Sequence, residues 1–236
     1  RPGAPPVPQE EELARVVQLV REAVRFGVPI SVDTFKPAVM QAVLDLGADI
    51  INDVRALGQP GAVEVVSRHP SCGICLMHMH RDPLTMQVLP MQGDVVPSVR
   101  TFLSQAAVRA TLAGVAHGRI VLDPGIGFGK TVEQNFSLLA RQAELLAEGF
   151  PLLVGWSRKS SLGAVTATQG VAPGAASRLA ASVAAAVLAV DRGATIVRVH
   201  DVLETVQALA AWAAMREQAA PDSHVLIAKK DQGTLG

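Results

Sequence analysis

"LDPGIGFGKT", Leu122 to Thr131, carries the glycines, lysine and threonine of a nucleotide-binding turn. The Walker pattern G-x-x-x-x-G-K-[ST] requires a glycine five positions ahead of the one that precedes the lysine. Counting back from Gly129 reaches Pro124, which has no backbone N–H to offer a phosphate. The dinucleotide fingerprint G-x-G-x-x-G fails too, because Gly125, Gly127 and Gly129 run G-x-G-x-G. The glycines therefore mark a tight loop after a strand. Asp123, at the strand's end, becomes the residue to explain.

The same pattern recurs on both sides of this stretch. Six short apolar runs stand along the chain: "PISVDT" (29–34), "DIINDV" (49–54), "GICLMHM" (73–79), "RIVLDP" (119–124), "PLLVGWS" (151–157) and "TIVRVHD" (195–201). Helical patterns lie between them. From Gln9 to Phe26, Leu13, Val16, Val17, Val20 and Val24 follow a 3.6-residue period. Glu10, Glu11 and Glu12 fall in the first turn, where the helix dipole favours anions. Pro37 and Pro60 stand where a first helical position is expected. Val132 to Glu148 carries Leu138, Leu139, Leu145 and Leu146, and Val202 to Met215 carries Leu203, Val206, Leu209 and Ala213. Near-continuous apolar strands alternating with such helices predict a parallel sheet covered on both faces.

Polar residues gather at the C-terminal end of every run: Asp33, Asn52 and Asp53, His78 and His80, Asp123, Ser157 onward, then Arg198 and His200. An open doubly wound sheet would concentrate them at one switch point. A (β/α)8 TIM barrel places its site along that whole edge, and a barrel is the reading taken. Eight strands are required and six are visible, so the first two are expected upstream of Arg1 or from elsewhere. Residues 1–220 are read as this barrel domain, and 221–236 as a hydrophilic tail without a role.

Composition narrows the partners. The chain has 236 residues, 49% hydrophobic, with 21 acidic and 21 basic side chains, so its formal net charge of zero gives no electrostatic case for nucleic acid or an anionic membrane. The longest apolar run, Leu179 to Val190, is broken by Ser182 and falls short of the roughly 20 residues that cross a bilayer. It is expected to be a buried Ala-rich helix. "RPGAPPVP" is expected to be a Pro-rich loop rather than a signal peptide. Cys72 and Cys75, spaced C-x-x-C, lack a second ligand pair and run into the apolar "ICLMHM". They are read as reduced core residues of a cytoplasmic protein.

Period-two alternation sorts the strand ends. Arg198 and His200 share a face, as do Ser31 and Asp33, and Ile50 and Asn52. With those faces inward, the top of the barrel holds two carboxylates, an amide, an arginine and an imidazole. Taken singly, an Asp or Asn in such a place more often caps a loop; five converging residues weaken that alternative. Loops after the last two strands of this fold often bind anions, and here they hold "SRKSS" (Ser157 to Ser161) and "RVHD" (Arg198 to Asp201). Arg158, Lys159, Arg198 and His200 would supply the positive field, unless they are solvated surface cations. Carboxylates facing a cationic corner suit a donor-rich heterocycle with a phosphate-like tail. A pterin matches, since its 2-amino group and N3–H form a donor pair for one carboxylate while a lysine donates to O4.

"ISVDTFKP", "IINDVR", "LMHM", "LDPGIGFGK", "GWSRKS" and "IVRVHDV", in this order, closely resemble the dihydropteroate synthase family of the bacterial folate pathway, from Arg1 to about Met215. The resemblance implies a (β/α)8 barrel, usually a homodimer. It joins 6-hydroxymethyl-7,8-dihydropterin diphosphate to 4-aminobenzoate and releases diphosphate, with sulfonamides as competitors. By motif, Asp33, Asn52, Asp123 and Lys159 correspond to the pterin-binding set, with Met77, Phe128 and Gly155 lining the pocket. Arg198 corresponds to the residue that stacks on the pterin and, with His200, reaches the diphosphate. Arg1 matches the arginine of an "STRPGA" loop near aminobenzoate, and Ser160 a serine at the aminobenzoate end. Asp33, Lys159, Arg198 and His200 are the residues expected to act in the reaction.

The resemblance also implies Mg2+, held by an Asn of a first strand and mobile loop that have no counterpart in this chain. No metal ligand is assigned within it. A second-strand Asp that binds pterin is missing likewise. Two alternatives stay open at this point: a truncated, non-catalytic pterin-binding scaffold, and a methyltetrahydrofolate-type corrinoid methyltransferase, which needs no diphosphate site.

Overall fold

The computed structural model of the chain describes residues 7–82, 85–86 and 88–219. In chain order these form α1 (Gln9–Ala23), β1 (Ser31–Asp33), α2 (Pro37–Asp45), β2 (Ile50–Asp53), α3 (Ala62–Arg68), β3 (Gly73–Met77), α4 (Val95–Leu112) and β4 (Ile120–Asp123). Then follow α5 (Val132–Ala140), α6 (Ala143–Leu146), β5 (Leu153–Val154), α7 (Ser160–Val165), α8 (Leu179–Asp191), β6 (Ile196–Val197) and α9 (Val202–Ala219). Each of the six apolar runs supplies one strand. The tail assigned to 221–236 lies outside the described residues.

The strands pair in parallel in sequence order, β1-β2-β3-β4 and β5-β6, and a parallel bridge between Leu122 and Leu152 joins the two sets. The row curls rather than lying open, because Arg198, just beyond β6, hydrogen-bonds Asp33 of β1. This is the TIM-barrel-like architecture that polar residues at every strand end imply. On the outer face, Val32, Ile51, Ile74, Leu76, Leu122, Leu152 and Val154 are buried in one apolar cluster with Val39, Met40 and Val43 of α2 and Val99 and Leu103 of α4. Full burial of each such side chain is worth about 1.5–3 kcal/mol, so the helices clamp the strands and leave the inner edge to chemistry.

Local signals behave as expected at several ends. Pro37 opens α2. Asp94 caps α4 by accepting from Val96 N. Thr131 and Gln134 form a reciprocal capping box on α5, which satisfies otherwise orphaned amides.

Four expectations change. Pro60 precedes a helix that starts at Ala62, so it is not the first helical residue. The pattern over 132–148 is two helices, α5 and α6, because the buried Gln142 turns inward to donate to Ala189 O at 2.8 Å and Arg192 O at 3.1 Å. The Ala-rich α8 buries only one side, through Ser182, Ala185, Ala186 and Ala189, while Leu188 is exposed. On α9 the apolar Leu203 and Val206 are 65% and 58% exposed, and Thr205 is the buried residue. No helix among the described residues is long and apolar enough to cross a membrane.

Candidate functional site

Residues paired in a parallel ladder point to the same face, so the register itself identifies the inward row. Asp33 pairs with Asn52, Asn52 with Cys75, and Cys75 with Val121, two residues short of Asp123. Met77 pairs with Asp123 directly. The Leu122–Leu152 bridge sets Leu153, and hence Gly155, on that face. Val154 pairs with Val197, which puts Arg198 beside Gly155 and His200 beside Ser157. One face of six strands thus carries Asp33, Asn52, Cys75, Met77, Asp123, Gly155, Arg198 and His200.

Asp33 is the junction between the first and last strands. Its Oδ1 accepts from Asn52 Nδ2 at 2.6 Å, and its Oδ2 accepts from Arg198 Nη2. About half of each side chain in the ion pair is solvent-exposed, so the pair is worth at most about 1 kcal/mol and Arg198 can leave it for a stronger anion. Asn52 is buried, and its Oδ1 has no hydrogen-bond partner. An unpaired buried acceptor costs about 1–3 kcal/mol. A ligand N–H at this position would remove that cost.

The GIGFGK loop builds the other half. Asp123 Oδ1 accepts from Gly125 N at 2.7 Å, closing a tight turn. Gly125 adopts φ +67°, and a Cβ there would lie 1.9 Å from the His78 carbonyl oxygen, so the turn admits no side chain. Burial pushes the Asp123 carboxyl up to about 6, against the pull of the Gly125 amide, Lys159, Lys130 and Arg198. Lys159 reaches in from the loop after β5, with its Nζ 4.3 Å from the Phe128 ring centroid. Burial lowers its pKa, and the Asp123 carboxylate opposes that. Gly127 packs beneath it, since a Cβ on Gly127 would meet Lys159 Cδ at 3.2 Å. Asp123, Lys159, Phe128 and the buried Met77 therefore share one lobe.

The cationic corner is smaller than expected. His200 stands against Ser157, with Nδ1 and Oγ 2.9 Å apart and His200 N donating to the same oxygen at 3.2 Å. Arg158 does not belong to it: its guanidinium takes both oxygens of Asp201, at 2.5 and 3.2 Å. That pair is more buried than the one Arg198 makes with Asp33, so Lys159 and the more loosely held Arg198 are the cations left to face the inward row. Ser160 is exposed at the start of α7, outside the inward row. Arg1 lies outside the described residues. Asp53 is removed from the site as well: its two oxygens accept from Arg55 N and Leu57 N at 2.7 and 2.9 Å, holding a turn in which Ala56 and Leu57 have positive φ.

Three site residues escape a reading of strand ends. Cys75 faces inward between Asn52 and Asp123, and burial, with the carboxylates of Asp123 and Asp33 adding, pushes its thiol well up. It is an unreactive floor, and period-two counting along "GICLM" could have placed it. Asn135 is buried, accepts from Gly127 N at 2.8 Å and donates to Ser161 Oγ at 2.9 Å, so it ties the glycine loop to the SRKSS loop; no local signal announces it. Lys130, the lysine of the Walker-like stretch itself, is buried under the same glycine loop, and a nucleotide-motif test says nothing of that burial. Among the described residues no cluster of three or more His, Cys, Asp or Glu could hold a metal ion.

The comparisons with known proteins converge. The pterin binding enzyme family matches residues 1–200. The dihydropteroate synthase of Neisseria meningitidis serogroup C is 50% identical over 217 residues, covering 91% of this chain and 75% of that protein. The crystal structure of Burkholderia cenocepacia dihydropteroate synthase complexed with 7,8-dihydropteroate is similar with a TM-score of 0.84 and 50% identity, over 93% of this chain and 79% of that one. Yersinia pestis dihydropteroate synthase, solved with a sulfonamide drug complex, is similar with a TM-score of 0.86 and 43% identity, over 92% and 77% of the two chains.

Proposed function

The chain belongs to the pterin-binding enzyme family, with dihydropteroate synthases as its relatives, and on that premise we propose how its inward face joins 6-hydroxymethyl-7,8-dihydropterin diphosphate to 4-aminobenzoate. The observation that carries the residue roles is the lobe formed by Asp123, the partnerless Asn52 Oδ1 and Lys159 over Phe128. Asp123 accepts the pterin's 2-amino group and N3–H, Asn52 pairs with a further ring N–H, and Lys159 donates to O4. Phe128 and Met77 supply the apolar walls. Gly155, without a side chain, leaves room for Arg198 beside the ring.

The chemistry is a substitution at the pterin methylene. The C–O bond to the diphosphate breaks with its electron pair on the leaving oxygen, and the arylamine nitrogen forms the new C–N bond and loses a proton to solvent. Positive charge develops at the methylene, where the carboxylates of Asp123 and Asp33 favour it electrostatically. Arg198 leaves its exposed pair with Asp33 to take the diphosphate bidentately, while His200, set by Ser157, donates to it. Ser160 and Arg1 are assigned to the aminobenzoate end, and sulfonamides compete there. Mg2+ is proposed as the diphosphate's counter-ion. The described residues contain no cluster fitted to hold it, so no step above runs through it.

The exposed Leu203 and Val206, three residues apart on α9, and Leu188 on the neighbouring α8 support a homodimer, because exposed large apolar side chains in numbers mark interfaces. Free, buried Cys72 and Cys75 suit a reducing, cytoplasmic compartment. The decisive experiment mixes the protein with the pterin diphosphate and 4-aminobenzoate and follows diphosphate and dihydropteroate together. Equal release of both supports the assignment, and pterin binding without either product would leave only a binding scaffold.

A further inference from the structure

Lys130 is 4% exposed, and the roles above do not use it. Its ammonium has a closed set of partners: Gly125 O at 2.9 Å, His78 Nδ1 at 3.0 Å and Phe128 O at 3.2 Å. An ammonium has three N–H donors and no acceptor, so three donors meet three acceptors. The two carbonyls are the ends of one turn, which Phe128 N closes by donating to Gly125 O at 3.1 Å. The third partner stands at the end of β3. Burial holds the His78 imidazole down at about 3, so it is neutral and its Nδ1 serves as the acceptor. That ring is itself fixed, edge-on to Phe102 with centroids 4.9 Å apart, while His78 N donates to Asp123 O at 2.9 Å.

Burying an ammonium is costly unless every donor is used, and a loop required only to close could do so on an apolar side chain. What the ammonium orders lies on the pterin side. Gly125 supplies the amide that fixes the Asp123 carboxylate, Gly127 packs against Lys159, and Phe128 places its ring below the Lys159 ammonium. Burial lowers the Lys130 pKa to about 7, with the Asp123 carboxylate opposing and Lys159 adding to the fall, and the three acceptors around Nζ favour the charged form.

We propose that Lys130 is a positioning residue for pterin recognition: its buried ammonium sets the Gly125–Phe128 turn and thereby holds the Asp123 carboxylate and the Phe128 ring where a pterin's edge and face need them. The proposal rests on the pterin reading above. It differs from simple loop support in one respect. Support lowers the melting temperature and leaves affinity alone, whereas positioning changes affinity for one substrate.

The test uses Lys130→Met, which keeps the length and removes all three donors, and Lys130→Gln, which keeps two. Calorimetry with 6-hydroxymethyl-7,8-dihydropterin diphosphate should show about 10- to 100-fold weaker binding for Lys130→Met, the consequence of stranded acceptors around a shifted turn, and a partial recovery in Lys130→Gln. KM for 4-aminobenzoate at saturating pterin should stay within about threefold, a small change on the affinity scale. Combined with Phe128→Leu, Lys130→Met should lose less than the product of the two single effects, because both act through one ring. Pterin affinity within twofold of wild type in both variants overturns the proposal, as does an equal rise in both KM values. Failure of both variants to fold makes Lys130 a support of the loop and overturns it equally. A wild-type protein that does not bind the pterin diphosphate refutes the family-based reading instead.

Discussion

Asp123→Asn should stabilise the protein and damage its binding at the same time. Burial raises this carboxyl from 3.8 to about 6, and each pH unit corresponds to about 1.4 kcal/mol. Ionised Asp123 therefore costs the fold up to roughly 3 kcal/mol. A carboxyl raised in this way is favoured in its protonated form, so the cost is absent below about pH 4, grows as pH rises and is complete above about pH 6. Asparagine keeps the bond from Gly125 N, now 2.7 Å long, and carries no charge to desolvate. Denaturant melts at pH 8 should find the variant about 1–3 kcal/mol more stable, with the difference vanishing near pH 4. Binding should move the other way. One acceptor becomes an N–H facing the pterin's own donors, a buried mismatch of about 1–3 kcal/mol, or roughly 5- to 150-fold in Kd. For wild type, pterin affinity should fall as pH drops through about 6, where the carboxylate gains its proton. Unchanged pterin affinity by calorimetry, or an Asn variant less stable than wild type at pH 8, would refute the reasoning.

Arg198→Lys keeps the charge and loses the planar fork; diphosphate release should fall at least tenfold, about 1.4 kcal/mol in the barrier, and near-normal turnover would reduce Arg198 to a point charge. Arg158→Gln should leave turnover within about threefold and change stability little, since the guanidinium is committed to a solvent-screened pair with Asp201; a large loss of diphosphate affinity would return it to the anion corner. ATP and GTP should not raise the melting temperature, because Pro124 stands where the first Walker glycine would be; a shift that disappears in Lys130→Ala would reverse that expectation.

Sequence by itself determined the six strands, the turn at Gly125 and the roster of polar residues at the strand ends. Those features follow from short-range rules: apolar runs of strand length, positive-φ glycines and period-two alternation, each written within a few neighbouring residues. It could not decide which carboxylate each arginine meets. Arg158 and Arg198 look alike in a list of strand-end charges, yet Arg158 meets Asp201, 43 residues away, and Arg198 meets Asp33, 165 residues away. The break at Gln142 depends on carbonyls 47 and 50 residues on, and Asn135 finds Ser161 across 26. Lys130 is only the lysine of a failed nucleotide pattern until the turn closes around it. Such outcomes belong to tertiary structure because a charge or an amide is defined by what packs against it, and parallel strands bring together residues that no local period connects.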